Sequence, residues 1–324
     1  MSRLIKWIGQ NLDGLIALVL AVSIVVLSYA DVIGADPSVI NNAILLVLAI
    51  LATTLLRDRV RSGIIERDLE KTLELVTQLD AKLTGTKQAL DAASNVQVLA
   101  GEEVSQALGD ARRDTEGWTF KGGTGTFIRA VTLPECVQRA RRDGRPLTMR
   151  LEIVDPTNET ACDHYAVFRR SLSRRPDGTG EIWTIDRTRK ESLATILAAC
   201  WHRQRYRLLT VEVGLSSTIT TFRWDLSSRS LIITQQDPRE PALLIKRGWV
   251  YYDRYATELL TSFEQSTRLP IEQAAKAVPL SDEPSVEEAM KLFVALHIAL
   301  PSSFDDRAVS DIIRKAVQAK NPYE

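Results

Sequence analysis

Apolar and polar positions divide this chain into regions with different periods. Residues 14–30 (GLIALVLAVSIVVLSYA) carry no charge, and residues 43–56 (AILLVLAILATTLL) are equally clean, with Val39 and Ile40 extending them. A bilayer-spanning helix needs roughly 17–25 mostly apolar residues. The pattern therefore predicts two spans, at about 12–31 and 39–56, paired as a hairpin that satisfies its own backbone in lipid. From residue 64 to residue 111 there is no proline, and Leu69, Val76, Leu83 and Leu90 recur every seven positions. Thr72, Leu79, Thr86 and Ala93 fill the companion positions, which predicts one long helix with a coiled-coil seam, weakened at Gly85, Gln97 and Gly101.

Beyond residue 114 the period changes. Residues 118–120 read as a strand closed by Gly122 and Gly123, and residues 133–142 as a helix with Pro134 in its first turn and Gly144 just past its end. Residues 147–154 (LTMRLEIV) alternate and stop at Asp155-Pro156, a turn signal. Residues 189–201 form an amphipathic helix. Three strand-like runs follow at 206–215, 219–224 and 230–235, and a closing helix at 255–268. A strand–helix–strand opening followed by a run of strands predicts an α/β domain with a mixed sheet. Residues 284–300 and 307–319 give two more helical patterns around Pro301, with Asp305 placed to cap the second. The expected organisation is a two-helix membrane anchor at 1–60, a stalk helix at 61–113, an α/β domain at 114–270 and a small helical appendage at 271–324.

Charge orients the hairpin. Arg3 and Lys6 precede the first span, the connecting loop holds Asp31 and Asp36 without Lys or Arg, and Arg57, Arg59, Arg61 and Arg67 follow the second. The positive-inside rule then puts both termini and the main domain in the cytoplasm, at the inner membrane. A cleaved signal peptide ending at Ser28-Tyr29-Ala30 is the alternative, but the apolar run exceeds the usual length of about 7–15 residues.

Net charge is zero, yet it is uneven: residues 117–210 hold 17 Lys/Arg against 10 Asp/Glu. Arg139, Arg141, Arg142, Arg145, Arg169, Arg170, Arg174, Arg175, Arg203, Arg205 and Arg207 lie in this block. They could meet a phosphate-bearing ligand, or could simply be a solvated face. The three cysteines, Cys136, Cys162 and Cys200, are widely spaced and odd in number. They imply neither a disulfide frame nor a zinc site, and no cofactor is expected.

The loop from Lys121 to Thr126 (KGGTGT) invites a phosphate reading, through backbone N–H groups at a helix N-terminus. It lacks the GxxxxGK[ST] and GxGxxG spacings, and a tight turn explains its glycines as well. No GxSxG nucleophile motif occurs. His164 follows the Asp155–Asn158 turn and is the histidine best placed for chemistry. His202 ends a helix where an imidazolium suits the dipole, and His297 sits in an apolar helical run. Asp155 and Asp225 are strand-adjacent carboxylates that could share a metal.

One stretch resembles a known family. Trp118-Thr-Phe-Lys-Gly122, the Leu133-Pro134 helix, Leu151-Glu-Ile-Val-Asp155-Pro156 and Tyr165-Ala-Val-Phe-Arg169 look like the opening half of a phospholipase D-like domain. The likeness covers about residues 112–269. Phe222-Arg223-Trp224-Asp225 stands where that family places H-x-K-x4-D, and it supplies neither the histidine nor the lysine. The resemblance thus implies the fold without the catalysis.

Three functions follow as expectations. The first is a membrane-anchored, non-catalytic sensor or effector that binds a nucleotide or other phosphate ligand and signals to the hairpin by homo-oligomerising through the coiled coil. Gly122, Gly123, Arg129, Asp155, Asn158, His164, Arg223 and Asp225 are its candidate ligand-binding residues. The second is a membrane-tethered phosphodiesterase or nuclease built on His164 and Asp155. The third is a scaffold that binds a protein partner at the C-terminal helices.

Overall fold

The computed structural model describes residues 96–172, 182–235 and 240–322, together with Leu45, Leu48, Ala49, residues 75–80 and Lys82. The chain divides into two compact units, Met1–Leu90 and Asp91–Glu324. In the first unit, Leu45, Leu48, Ala49, residues 75–80 and Lys82 are helical, and Leu75, Val76 and Leu79 are exposed.

The second unit is built on an eight-stranded mixed sheet. Its strands are β1 (Gln97–Leu99), β2 (Gly117–Lys121), β3 (Leu147–Val154), β4 (Leu209–Ser216), β5 (Phe222–Ser227), β6 (Ser230–Gln235), β7 (Ala242–Lys246) and β8 (Thr267–Arg268). The spatial order is β1-β7-β6-β5-β2-β3-β4-β8. Strands β2, β3 and β4 run parallel, and every other pairing is antiparallel.

Helices connect and cover this sheet: α1 (Glu102–Arg112), a π-helical turn (Ile128–Thr132) leading into α2 (Leu133–Asp143), α3 (Glu159–Leu172), α4 (Ile185–Arg205), α5 (Val250–Gln265), α6 (Ile271–Ala277), α7 (Val286–Ala295) and α8 (Asp306–Val317). The alternation in β3 sends Leu147, Met149, Leu151 and Ile153 to one face, and all four are at most 1 % exposed. They join α2, α4, α6, α7 and α8 in one hydrophobic cluster. The opposite face holds Leu231, Ile233 and Ile245 against Tyr252 and Leu259 of α5.

Helix α4 is the centrepiece. Leu193 through Cys200 are all buried, because the sheet lies on one side and α3, α6 and α8 pack on the others. A helix buried all round needs apolar residues all round, so its true length, Ile185–Arg205, exceeds the amphipathic stretch read from the pattern. Helix α2 ends as expected at Gly144, which adopts φ 64° and lets Arg145 N–H donate to Ala140 O at 2.9 Å. Helix α7 stops short of the expected residue 300. His297 takes φ 60°, and Ile298 N–H closes onto Phe293 O at 2.9 Å, a left-handed stop that periodicity does not announce.

Several expectations are corrected. The continuous helix over residues 64–111 is not continuous: Gln97–Leu99 is strand β1, paired to β7, and α1 begins only after Gly101 at φ 57°. Val98 opposite Leu243 satisfies a sheet edge, which overrides the heptad spacing. The two-span membrane anchor, and with it the inner-membrane location, is not upheld. Among the described residues no helix is long and apolar enough to cross a membrane. Apart from Leu45, Leu48 and Ala49, the stretches expected to span lie outside the described residues. The C-terminal helices pack on the domain: Leu292, Phe293, Leu296, Val309 and Ile312 are at most 1 % exposed within the main hydrophobic cluster.

Candidate functional site

The parallel strands β2, β3 and β4 end side by side, and the carboxyl edge of an open α/β sheet is where ligands usually settle. Four candidate residues reach this edge. Gly122 N–H donates to Glu152 O at 3.1 Å, Val154 N–H donates to Gly123 O at 3.1 Å, and Asp155 N–H donates to Ser216 O at 3.0 Å. Arg223, near the start of β5, crosses close to Gly122: a Cβ built there would lie 3.1 Å from Arg223 Cγ.

The glycines are explained by protein packing. A Cβ on Gly122 would stand 2.6 Å from Phe120 Cζ, and one on Gly123 would overlap the Tyr165 ring and hydroxyl. Gly125 takes φ 73°, with Thr195 Cγ2 2.9 Å from the position of a Cβ. The loop is therefore filled by Phe120, Tyr165 and Thr195, and all four residues from Gly122 to Gly125 are buried.

An internal anion occupies the helix start beyond this loop. Glu191 of α4 is buried and takes two contacts from Arg129: Nη2 to Oε2 at 2.6 Å, and Nη1 to its backbone oxygen at 2.8 Å. Lys315 of α8 reaches Glu191 Oε1 at 2.8 Å, and the Thr126 hydroxyl donates to Oε2 at 3.3 Å. Burial works to raise the Glu191 carboxyl, but Arg129 and Lys315 overcome it and hold it at about 2. Arg129 is thus committed to a carboxylate within the chain. The sequence offered no signal for this, since Arg129, Glu191 and Lys315 are far apart along it.

The remaining candidates apart from His164 are likewise engaged. Asp155 Oδ1 accepts from the Thr157 N–H at 2.8 Å and its hydroxyl at 2.7 Å, a turn of its own. Asn158 Oδ1 accepts from Ala161 N–H at 3.0 Å, at the start of α3. Arg223 donates to the Thr234 hydroxyl at 3.1 Å and to Gln235 O at 2.8 Å. Asp225 lies buried in mid-strand and accepts from Trp118 Nε1 at 3.1 Å. Burial pushes its carboxyl up to about 6, against the pull of Arg223, the Trp118 bond and Arg112. His164 is exposed on α3.

Asp155 and Asp225 thus have separate partners, and no group of three or more metal-ligating side chains occurs among the described residues. His202 differs from its expected charged state: burial, reinforced by Arg205, lowers its imidazole to about 4. The three cysteines are buried, as expected for structural thiols.

The arginine-rich block is distributed over separate partners. Arg203 grips Glu272 through Nε at 2.7 Å and Nη2 at 2.9 Å. Arg205 lies 3.8 Å above Trp201 and bonds Asp282 at 2.8 Å. Arg169 and Arg187 lie 4.4 and 4.2 Å from the Trp183 ring centre, while Arg170 donates to its carbonyl at 2.8 Å. Arg174 and Arg175 lie outside the described residues.

Sequence reasoning missed one cluster under α5. Lys121 contacts the Ser262 hydroxyl, Ser262 donates to Glu152 Oε1 at 2.9 Å, and Lys121 Nζ lies 3.5 Å from the same oxygen. Lys121 also sits 6.0 Å from the Trp224 ring centre. The β2–β3 register sets Lys121 opposite Glu152, and α5 brings Ser262 over them.

No protein-family model matches the chain. No curated protein matches it either. Among solved structures, an archaeal chromatin protein with a novel mode of DNA binding (TrmBL2) is similar over 63 % of this chain and 70 % of its own, at 9 % identity and a TM-score of 0.31. A likeness that slight carries no argument about this chain. The resemblance to phospholipase D-like domains is not upheld, since no family model of any kind matches the chain.

Proposed function

We propose that residues 96–322 form a non-catalytic interaction domain that acts by binding another polypeptide. One observation carries this reading: of the six candidate side chains, Arg129, Asp155, Asn158, Arg223 and Asp225 are already hydrogen-bonded within the chain, and His164 stands exposed. Arg129 and Lys315 hold Glu191, Asp155 and Asn158 hold their own turns, Arg223 holds β6, and Trp118 holds Asp225. By contrast, large apolar side chains stand in solvent at two places. Val98 and Leu243 are 68 % and 38 % exposed at the sheet edge, and Met290 and Val294 are exposed on α7. Exposed apolar clusters rimmed by polar residues mark protein contacts.

A second reading, a phosphate-sensing domain, is favoured by the gathering of Gly122, Asp155 and Arg223 at the carboxyl edge of the parallel strands. Calorimetric titration of the full chain with pyrophosphate and a panel of linear and cyclic nucleotides separates the two, beside an assay for phosphodiester hydrolysis. The interaction domain predicts no saturable heat and no turnover. Saturable binding that Arg223→Ala abolishes would replace it with the sensor, and turnover lost in Asp155→Ala would replace it with an enzyme.

A further inference from the structure

The turn from β7 into α5 exposes a short run of basic and apolar side chains. The chain leaves β7 at Lys246 and enters α5 at Val250 through Gly248, which takes φ 96°. All six residues from Lys246 to Tyr251 (KRGWVY) are exposed. Trp249 is 37 %, Val250 64 % and Tyr251 49 % exposed, whereas Tyr252 is buried in the cluster between α5 and the sheet. Successive helical residues advance by about 100°, so Val250 lies nearly opposite Tyr252 and points away from the sheet.

Four bases accompany this apex. Lys246 and Arg247 precede it, and Arg254 stands one turn after Val250. Arg229 arrives on the β5–β6 hairpin, where its carbonyl accepts from Arg247 N–H at 2.8 Å. Two acids stand among them: Asp253 in the first turn of α5, and Asp114, 3.8 Å from Arg229. The N-terminus of α5 turns its positive dipole end to the same surface.

Going beyond the polypeptide contact, we propose that this tip docks on an anionic lipid surface. Trp249, Val250 and Tyr251 enter the interfacial region, and Lys246, Arg247, Arg254 and Arg229 stand at the headgroup phosphates. The contact is with one leaflet and involves no spanning helix. The side chains favour lipid over other anionic partners. Trp and Tyr join an apolar body to a polar tip, which suits the boundary between headgroups and acyl chains. Val250, the most exposed of the three, has no ring to stack on a nucleic-acid base and no group to hydrogen-bond one, but gains by leaving water for hydrocarbon. Bases beside such a wedge are drawn by a negative surface potential, an attraction that salt screens. Three side chains make a shallow wedge, so the attachment is reversible.

The test uses the full chain with Val250→Cys carrying an environment-sensitive fluorophore. The native Cys136, Cys162 and Cys200 are buried and leave the background low. Vesicles of phosphatidylcholine with phosphatidylserine should move the emission to the blue and raise it several-fold. Vesicles of phosphatidylcholine alone should leave it unchanged, and added salt should reverse the shift. The same label on Glu258→Cys, exposed on α5 about 12 Å further along at 1.5 Å per residue, should stay in water throughout. Lys246→Glu combined with Arg247→Glu should weaken the response several-fold.

No shift at residue 250, an equal shift with neutral vesicles or at residue 258, or a shift that survives both glutamate substitutions overturns the proposal. So does a shift produced by single-stranded DNA, which would make the tip a nucleic-acid surface. A shift that grows with protein concentration in the absence of lipid also overturns it, by making the tip a contact between copies of the chain.

Discussion

The Arg129 guanidinium and the Glu191 carboxylate meet at 2.6 Å inside the domain, with both side chains at most 5 % exposed. Lys315 closes the group from the C-terminal helix at 2.8 Å. The helix after the glycine loop is thereby tied to the central helix and to the last helix of the chain. Glu191→Gln should destabilise the protein by about 3–5 kcal/mol, because it strands a buried guanidinium. Lys315→Met should cost less, since Arg129 remains paired and Lys315 is 19 % exposed. Urea unfolding of the three proteins measures the order.

The same carboxylate sets an acid limit. Its folded pKa of about 2 lies below the ordinary 4.5. Its contribution is therefore fully present above pH 4.5 and is lost as pH falls from there toward 2. Wild type should lose stability steeply across that window, and Glu191→Gln should show a shallower fall. Parallel slopes in the two proteins would argue against this account.

Asp225 works in the opposite direction. Its folded pKa, about 6, is raised from 3.8 chiefly by burial. The protonated acid is favoured in the fold, so the contribution is present below pH 3.8 and is lost as pH rises through 6. Asp225→Asn retains an oxygen to accept from Trp118 Nε1 and removes the charge. At pH 8 it should be more stable than wild type, by up to on the order of 3 kcal/mol. At pH 4 the two should nearly coincide. Thermal melts at both values decide it.

The cysteines should be silent in the native state. Burial pushes the Cys136 and Cys200 thiols up to about 12 and Cys162 to about 11. A thiol without thiolate character reacts slowly. Incubation with a thiol-specific reagent at pH 8 should label none of the three until denaturant is added. Rapid native labelling would locate an opening that the packing does not contain.

Gly123→Ala should destabilise by about 1–3 kcal/mol, the range for overpacking, because its methyl would press into the Tyr165 ring. The measurement is chemical denaturation. An unchanged stability would show that Tyr165 can move aside, and would reopen the loop as a cradle.

Much of the architecture could be read along the chain. The alternation in residues 147–154 gave β3, residues 230–235 gave β6, and Pro134 with Gly144 bracketed α2, because these signals act over a few residues. The heptad repeat misled at residues 97–99, where the Val98–Leu243 pairing closes a sheet edge with a partner far along the sequence. The glycine loop was legible as a turn of special geometry, but what fills it was not. Phe120 is a neighbour in sequence, whereas Tyr165 and Thr195 arrive from other elements.

The sequence by itself determined the local periods, the helix stop at Gly144 and the helix start at Asp305, the burial of three isolated thiols, and the mixed α/β character. Those follow from backbone preferences and from the need to hide apolar faces. Only the tertiary structure decided which charges neutralise which. Arg129 could have faced a phosphate until α4 and α8 brought Glu191 and Lys315 to it, and Asp225 could have faced a metal until Trp118 crossed over it. Pairing of this kind depends on distances of a few ångströms between residues far apart in the chain, and no spacing along a sequence fixes those distances.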